Sequence, residues 1–193
     1  DVEGNEPEER EITHYLYGGD QKYRLKQEIV LGIGGVRIID ALGLDIWKYH
    51  MNEGHSSLLT LELLHKYNMD EKKVRNLCVF TTHTPVKAGH DTFPYTLVEE
   101  LFDNSKDVEL LKKYSNSDEL DMTHLALNLS DYINGVAKRH REISKRMFPG
   151  YEINAITNGV HSYNWTCTYF RELYDRFIPG WANEPELLVR ANN

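Results

Sequence analysis

Strand-like and helix-like segments alternate along the 193-residue chain, and this alternation limits the possible folds more than any other feature. Short apolar runs predict strands over residues 45–51, 77–81 and 152–156. Strands that alternate with helices are typical of a parallel sheet. The chain is therefore predicted to be an α/β protein, with a Rossmann-like parallel sheet and helices on both faces.

Apolar residues three or four positions apart predict a helix over residues 21–42, which Gly43 ends. The same spacing predicts helices over residues 56–67, 70–75, 94–102 and 165–177. It predicts the clearest helix over residues 123–148, where His140 lies on the apolar stripe and is interpreted as a core histidine. Residues 104–122 are polar and broken, which predicts short helices and connections.

The composition excludes several classes of protein. The formal net charge of −8 disfavours the phosphate backbone of nucleic acids, and no run approaches the roughly 20 apolar residues that cross a bilayer. Two cysteines are too few for a disulfide-stapled secreted domain, and Cys78 is interpreted as a buried thiol in a strand. The sequence therefore predicts a cytoplasmic protein that binds neither nucleic acid nor membrane.

Two glycine-rich segments resemble phosphate-binding loops and are interpreted as structural. Residues 32–35 lie inside a predicted helix and do not follow a strand, so close helix packing is favoured over nucleotide binding. Gly18, Gly19 and Asp20 predict a turn and an N-cap for the helix that follows them.

Polar side chains follow each predicted strand, in residues 52–55, 82–84 and 158–161. Ligands of open parallel sheets bind outside the carboxyl ends of the strands, so these segments predict the site. Each segment brings a histidine and a short polar or carboxylate side chain, which suits the hydroxyl groups of a neutral sugar. Glu53 and Asp91 could also form a hydrolase pair, or act singly as hydrogen-bonding carboxylates or helix caps.

Metal binding is a further interpretation of the nine histidines. The sequence has no H-E-x-x-H pattern, and His50 and His55 are expected to point in different directions from a strand and a helix start. No metal site is therefore predicted. His14, His65 and His124 are interpreted as structural or solvated.

Five segments, in order, resemble those of the α-glucan phosphorylases, which act on glycogen, starch or maltodextrin. Residues 24–28 (RLKQE) resemble the start of a family helix, and residues 49–55 (YHMNEGH) resemble the family segment Y-x-L-N-[DE]-x-H. Residues 81–94 resemble the T-x-H-T loop, with the AGHD form of the shorter prokaryotic branch. Residues 134–140 resemble the N-G-V-A-x-x-H helix, and residues 157–165 resemble the T-N-G-[IV]…W turn.

The resemblance implies a two-lobed glycosyltransferase of the GT-B type, with a Rossmann-like sheet in each lobe. Such an enzyme transfers a terminal glucose reversibly from an α-1,4-glucan to inorganic phosphate and forms glucose 1-phosphate. The resemblance implies pyridoxal phosphate as the cofactor, held by a lysine in a C-terminal lobe outside this chain. It also implies that the residues that hold the cofactor and the phosphate are absent here, and the full-length enzyme could form a homodimer.

The resemblance extends from Tyr17 to about Trp165. The chain is therefore expected to be an internal fragment of the N-terminal lobe, inactive by itself. We predict an acidic extension over residues 1–16, a partial Rossmann-like domain over residues 17–180, and a tail over residues 181–193.

The resemblance also implies roles for individual side chains. His83 matches the histidine that faces the transferred glucose, and Asp91 matches an acidic residue near the acceptor chain. Glu53 and His55 match residues that line the pocket beside the glucose. The predicted substrate-binding residues are His83, Asp91, Glu53, His55, Asn52 and Thr84.

Two other functions stay open. A retaining nucleotide-sugar glucosyltransferase of the glycogen or starch synthase type has the same two-lobed architecture, and a non-catalytic glucan-binding module would need no second lobe. The segment 81–94 favours the phosphorylase. Lys87 and His90 depart from the long animal enzymes, which leaves acceptor specificity and allosteric behaviour open, and no role is assigned to His161.

Overall fold

The chain forms two compact units, Asp1–Thr157 and Asn158–Asn193. The computed structural model describes residues 3–16, 19–86 and 89–192. Tyr17 at the predicted domain start, Gly18 of the predicted turn, and Lys87 lie outside the described residues. The predicted division of the chain at residues 16 and 180 stays a prediction. Among the described residues, no helix has the length and apolar character needed to span a bilayer.

Helices and strands alternate in the described part of the first unit. Its helical elements are α1 (Pro7–Arg10), α2 (Gln21–Ile29), a π-helical segment (Val30–Gly34), α3 (Gly35–Ala41), a 3-10 turn (Gly54–Ser56), α4 (Leu59–Lys66), α5 (Glu71–Leu77), α6 (Tyr95–Leu101), α7 (Ser105–Ser115), α8 (Met122–Asn128) and α9 (Lys138–Met147). Its strands are β1 (Tyr49–Asn52), β2 (Cys78–Thr82), β3 (Thr92–Pro94), β4 (Glu119–Asp121), β5 (Tyr132–Gly135) and β6 (Asn154–Ala155).

The strands form one parallel sheet and one small antiparallel pair. The parallel sheet has the order β1-β2-β5-β6, and β3 pairs with β4. Because the strand order follows the chain, right-handed crossovers place the connecting helices on a common face. A parallel sheet flanked by helices confirms the predicted α/β class. Helices on both faces and a place in a two-lobed enzyme stay predictions.

The two faces of the sheet differ in burial. The core face presents the buried side chains of Tyr49, Met51, Cys78, Phe80 and Ile133. The opposite face carries His50, Asn52 and Tyr132, whose side chains are exposed. Cys78 is a free buried thiol, as predicted, and burial raises its pKa to about 12. The core therefore lies on one side of the sheet, and the polar side chains lie on the other.

The predicted helix over residues 123–148 is wrong. The structure divides it into α8, β5 and α9. The Asp131 N–H donates to the carbonyls of Arg75 and Cys78, at 3.0 and 3.2 Å, which leads the chain into the sheet. β5 lies between β2 and β6, and this position in the sheet buries Ile133 even though the local apolar spacing is that of a helix. Apolar spacing cannot distinguish a short buried strand between two helices from one long helix.

The other elements differ from the predictions mainly at their ends. The predicted strand 45–51 is formed by residues 49–52, and the predicted strand 152–156 by residues 154–155. The polar region 104–122 contains the 11-residue helix α7 and the strand β4, where short helices were expected.

The second unit contains α10 (Ser162–Trp165), α11 (Thr168–Phe177) and a 3-10 segment (Pro185–Asn192). Trp181 is buried, and its indole N–H donates to Asp175 Oδ1 at 2.8 Å. The Trp181 ring also packs against the rings of Tyr163 and Tyr174. This small unit is therefore organised around one aromatic side chain.

Helix α2, the π-helical segment and α3 together form the helix predicted over residues 21–42. The Asp20 carboxylate accepts a hydrogen bond from the Tyr23 N–H at 2.8 Å, which confirms the predicted N-cap. Gly43 ends the helix with a φ of 65°, in the left-handed region that favours glycine. Midway along, Gly32 lies so close to α4 that a Cβ there would be 2.7 Å from the Leu59 nitrogen. Gly32 thus allows close helix packing, as predicted.

This contact predicts opposite effects for two glycines of the same helical run. Gly32→Ala should lower the free energy of unfolding by about 1–3 kcal/mol, because the new methyl group would overlap the backbone of α4. Gly35→Ala is the matched control, since a Cβ at Gly35 would have no atom within 4 Å apart from its chain neighbours and its own helix backbone. It should raise stability by up to about 1 kcal/mol through helix propensity. Urea unfolding of both variants measures the difference, and equal effects would contradict the packing role of Gly32.

Candidate functional site

A row of short polar side chains crosses the parallel sheet near the carboxyl ends of its strands, on the face opposite the core. Asn52, Thr81, Asn134 and Asn154 are register partners on the four successive strands. The Thr81 hydroxyl donates to Asn134 Oδ1 at 2.9 Å, so His50 Nε2, at 2.7 Å, donates its own proton to Thr81 Oγ1. Hydrogen bonds therefore link three strands just before the residues predicted to bind substrate.

Glu53 follows β1 in a strained backbone conformation, with φ 64° and ψ −179°. This region is normally restricted to glycine and costs on the order of 1–3 kcal/mol for other residues. The Glu53 side chain is buried, and its Oε1 accepts from the Thr82 hydroxyl at 3.2 Å, from the Thr84 N–H at 2.7 Å, and from the His83 N–H. The Glu53 carboxylate thus fixes the backbone that leaves β2. Its hydrogen bonds place it against protein backbone.

His140 is buried next to the end of β5, at the start of α9. Its Nδ1 would lie 2.4 Å from a Cβ placed at Gly135, so the ring occupies the space that glycine leaves open. Burial lowers the His140 pKa and favours the neutral ring. The interpretation of His140 as a core histidine agrees with this position, although its helix begins fifteen residues later than predicted, at Lys138.

A second set of side chains, which we call the Arg24 cluster, consists of Arg24, Glu28, His55 and Asp91. Arg24 Nη2 lies 3.0 Å from Asp91 Oδ2 and 2.7 Å from His55 Nδ1, and Arg24 Nε lies 3.2 Å from Glu28 Oε1. His55 Nδ1 is also 3.0 Å from Asp91 Oδ2. The cluster joins helix α2, the 3-10 turn after β1, and the loop that precedes β3.

The charges of the Arg24 cluster shift the pKa values of its members. Hydrogen bonding to Asp91 and to Glu28 raises the pKa of His55 to about 9, which favours the imidazolium form. Burial raises the pKa of Glu28 to about 7. Burial alone would raise the pKa of Asp91, but its hydrogen bonds with His55, Glu28 and Arg24 hold that pKa well below its usual range. Asp91 is therefore ionised at neutral pH.

Glu28, His55 and Asp91 could also be considered as metal ligands, because one ligand atom from each lies within 4.8 Å of the others. However, Arg24 contacts all three side chains. The guanidinium already supplies the positive charge that a metal ion would bring, and it would repel one. The arrangement favours an internal ion-pair network over a metal site.

Two cavities adjoin the Arg24 cluster. One, of about 320 Å³, is lined by Gly19, Asp20, Gln21, Arg24, His55, Gly89 and Asp91. The other, of about 230 Å³, is lined by Thr13, Leu16, Arg24, Gln27, Glu28, Leu31 and His55. Arg24 and His55 line both. The first cavity combines cationic, anionic and amide groups, which suits a neutral ligand with many hydroxyl groups.

The predicted substrate-binding residues thus fall into two groups. His55 and Asp91 contact each other beside the polar cavity. Glu53 is hydrogen-bonded to the backbone of His83 and Thr84, which are half-buried. Asn52 is exposed at the end of β1, in the polar row. Asp91 does not cap helix α6, which begins after Pro94 without a side-chain cap.

Several histidines have defined partners. His65 Nε2 lies 2.7 Å from Asp107 Oδ1, and His124 Nδ1 lies 2.7 Å from Asp121 Oδ2, so both histidines, interpreted above as structural or solvated, make structural contacts. The partner of His65 is 42 positions away, on α7, where only the fold could place it. His14 is exposed.

His90 and His161, to which no role was assigned from the sequence, are also hydrogen-bonded. His90 Nδ1 lies 2.8 Å from Thr123 Oγ1, and its ring meets the Phe148 ring edge-on. In the second unit, His161 Nδ1 accepts from the Asn164 N–H at 3.3 Å and caps α10. Both histidines therefore have structural contacts within their own units.

Sequence reasoning missed Arg24 and Glu28 as members of a site. Both belong to the RLKQE segment, which was interpreted only as the start of a helix. A signal was present, because Glu28 lies among the core positions of an amphipathic helix, four residues after an arginine. Asn134 was missed because its strand was predicted to be helical.

Comparison with known proteins agrees with the motif pattern. No protein-family model matches the chain. The chain is 38% identical to maltodextrin phosphorylase of Thermococcus litoralis over 97% of its length, and 37% identical to glycogen phosphorylase of Aquifex aeolicus over 92%. It is 34% identical to glycogen phosphorylase of Mycobacterium tuberculosis over 90%.

The chain is a sequence relative of the α-glucan phosphorylases. It spans about a quarter of the length of these curated relatives, with 25%, 29% and 24% of their sequences covered. The matched region includes most of both units, and so it includes the Arg24 cluster and the Glu53 contacts. The resemblance expected from the five motifs is confirmed.

The Arg24 cluster predicts how the stability of this phosphorylase relative depends on pH. The folded chain holds the His55 proton up to a pKa of about 9, against an ordinary value of 6.5. The folded state therefore binds more protons than the unfolded state in this range, and the stability that His55 contributes is lost as pH rises from about 6.5 to 9. Urea unfolding at several pH values measures this decline. In His55→Gln the decline over the same range should be smaller, and an unchanged decline would contradict the assignment.

Proposed function

We propose that this chain supplies part of the glucan-binding N-terminal lobe of a GT-B type glycosyltransferase that phosphorolyses α-1,4-glucans. The substrates would be the glucan and inorganic phosphate, and the product glucose 1-phosphate. The observation that carries the proposal is the placement of two contacts in the segments that follow β1 and β2, in a relative of maltodextrin and glycogen phosphorylases. One contact joins His55 to Asp91, and the other joins the Glu53 carboxylate to the backbone N–H of His83.

The chemistry of the polar cavity supports a carbohydrate ligand. Sugar hydroxyls donate and accept hydrogen bonds, so they need donors and acceptors side by side. Asp20 and Asp91 supply acceptors in this cavity, Arg24 supplies donors, and Gln21 supplies both. The mixture of charges leaves no strong net charge to attract an ion. Asp91 would accept hydrogen bonds from the acceptor end of the glucan.

His83 would contact the glucose that is transferred. Its backbone N–H is held by Glu53, and Thr84 is held by the same oxygen, so the residue is fixed where it leaves β2. Contacts that are preorganised in this way lose little entropy when a substrate arrives. Glu53 acts in this proposal by positioning His83 and Thr84. Asn52 and Thr84 complete the proposed sugar-binding edge.

Pyridoxal phosphate, which the family resemblance implies, is bound by such enzymes through a lysine. Neither the Arg24 cluster nor the Glu53 contacts include a lysine among the described residues. These residues therefore do not fit the cofactor, and we derive no step through it. We propose that another part of the complete enzyme binds it, that the 193 residues alone are inactive, and that the enzyme is cytoplasmic and could be a homodimer.

The direct test is phosphorolysis by the complete polypeptide that contains this chain. Incubation with maltodextrin and inorganic phosphate should release glucose 1-phosphate. His83→Ala should lower kcat about ten- to a hundred-fold, because it removes one hydrogen-bonding side chain that contacts the reacting sugar. The backbone hydrogen bond from residue 83 to Glu53 survives this change. Release of glucose 1-phosphate at the wild-type rate would exclude the role of His83, and transfer only from a nucleotide sugar would indicate a synthase instead.

The position of Asp91 predicts a selective effect on the glucan. Asp91→Asn should raise KM for the glucan more than KM for phosphate, since the amide has one acceptor fewer and no charge. It should also lower Tm, because Asp91 pairs with Arg24 and His55. Asp107→Asn is the matched control, as it removes the charge from another aspartate–histidine pair, with His65. Steady-state kinetics on both substrates decide the case: a lowered Tm with both KM values unchanged would make Asp91 purely structural.

A further inference from the structure

Glu28 is a carboxylate in the core of the first unit, with only 1% of its surface exposed. Its Oε1 lies 3.2 Å from Arg24 Nε and 3.8 Å from His55 Nδ1, so two basic side chains lie close to it. Burying a carboxylate costs several kcal/mol unless opposite charge is close. We expect Glu28 to have a role beyond packing, because an apolar side chain would fill the same space without the free-energy cost of burying a carboxylate.

The backbone around Glu28 is arranged to bring helix α2 against the turn that carries His55. The π-helical segment begins two residues after Glu28, and its Gly32 approaches the backbone of Leu58 and Leu59. Short π-helical segments often occur at functional sites. Gly54 in the facing turn is similarly close to Met122, with 3.1 Å to that side chain from a Cβ built there. The position of Glu28 beside His55 thus depends on close contacts between several elements.

We propose that Glu28 is a positioning residue for the glucan site, holding Arg24 and His55 against Asp91 and thereby fixing the direction of the Asp91 carboxylate. The inference rests on the function proposed above for His55 and Asp91. Glu28 is not expected to contact the glucan itself. It lines the cavity of about 230 Å³, whereas Asp91 lines the polar cavity of about 320 Å³ in which the glucan is proposed to bind.

The guanidinium of Arg24 links the position of Glu28 to the direction of the Asp91 carboxylate. A guanidinium is planar and rigid, so holding it at one nitrogen sets the direction of the others. Glu28 lies at Nε, and Asp91 and His55 lie at Nη2. Without the Glu28 charge, the plane of Arg24 would be held from one side only, and Asp91 could turn with it.

The protonation state of His55 provides a second link between the charge of Glu28 and the orientation of Asp91. The charged groups that face Glu28 are Arg24 from α2, His55 from the 3-10 turn, and Asp91 from the loop before β3. With Glu28 ionised, the four side chains carry two positive and two negative charges, and His55 can donate its Nδ1 proton to Asp91. Loss of the Glu28 charge leaves one positive charge in excess, which favours the neutral imidazole. His55 would then accept from Arg24, and Asp91 would lose one of its two restraints.

Glu28→Gln tests the proposal because it removes the charge and keeps the shape. The His55 pKa is measured by NMR titration of the histidine side chains, and the Kd of maltoheptaose by calorimetry, both in the complete polypeptide. We expect the His55 pKa to fall by about one unit and the Kd to rise about three- to ten-fold. Glu62→Gln is the control, since Glu62 forms a two-point ion pair with Arg37 away from the Arg24 cluster. It should change neither value.

The outcomes separate this proposal from the proposed function. If glucose 1-phosphate is formed but Glu28→Gln leaves both the His55 pKa and the Kd unchanged, the positioning role is refuted and the function stands. If maltoheptaose binding depends on Glu28 but no phosphorolysis occurs, the positioning role stands and the reaction is wrong. Should Glu28→Gln fail to fold, Glu28→Asp replaces it, with the carboxylate one methylene farther from His55. Because aspartate keeps the charge but cannot hold Arg24 in the same place, an unchanged Kd of maltoheptaose in that variant would overturn the proposal.

Discussion

Three hydrogen bonds to a single oxygen of Glu53, from the Thr82 hydroxyl and from the N–H groups of His83 and Thr84, join the end of β1 to the end of β2. The rest of the candidate site depends on this connection, because the turn with His55 begins at Glu53 and the loop with Asp91 begins at His83. Glu53 adopts a backbone conformation that is costly for a residue with a side chain. Charge-assisted hydrogen bonds offset the cost, since each is worth about 1.5–3 kcal/mol. Strain of this kind persists only where the surrounding structure over-determines the conformation.

The Arg24 cluster holds the turn with His55 and the loop with Asp91 together through contacts outside the sheet. Asp91 lies in the loop before β3, and its contact with Arg24 ties that loop to helix α2. The Asp91 carbonyl also accepts from the Met122 N–H at 3.2 Å, which ties the loop to the start of α8. The side chains proposed to contact a sugar are thus held by ion pairs with α2 and by a backbone hydrogen bond to the start of α8. Preorganisation by such neighbours is what a binding site requires.

The elements that the sequence predicted well are those with a local cause. The helix over residues 21–42 has an apolar stripe, an N-cap at Asp20 and a left-handed glycine at its end, and all three act within a few residues. The strand β2 is a continuous apolar run between polar segments. The helix predicted over residues 123–148 failed for the opposite reason. β5 is a strand because β2 and β6 supply its hydrogen bonds, and neither partner is visible in the local sequence.

The sequence by itself determined the α/β class, the segments that follow β1 and β2, and, through five motifs, the relation to the α-glucan phosphorylases. Only the tertiary structure decided what those residues contact. Glu53 is held against backbone 30 positions away, and Asp91 is paired with an arginine 67 positions away. Spacing in the chain cannot reveal such pairs, because the first arises from the pairing of β1 with β2 and the second from the packing of α2 against the turn after β1. That packing also buries Glu28, for which the sequence alone showed only a position among the core residues of an amphipathic helix.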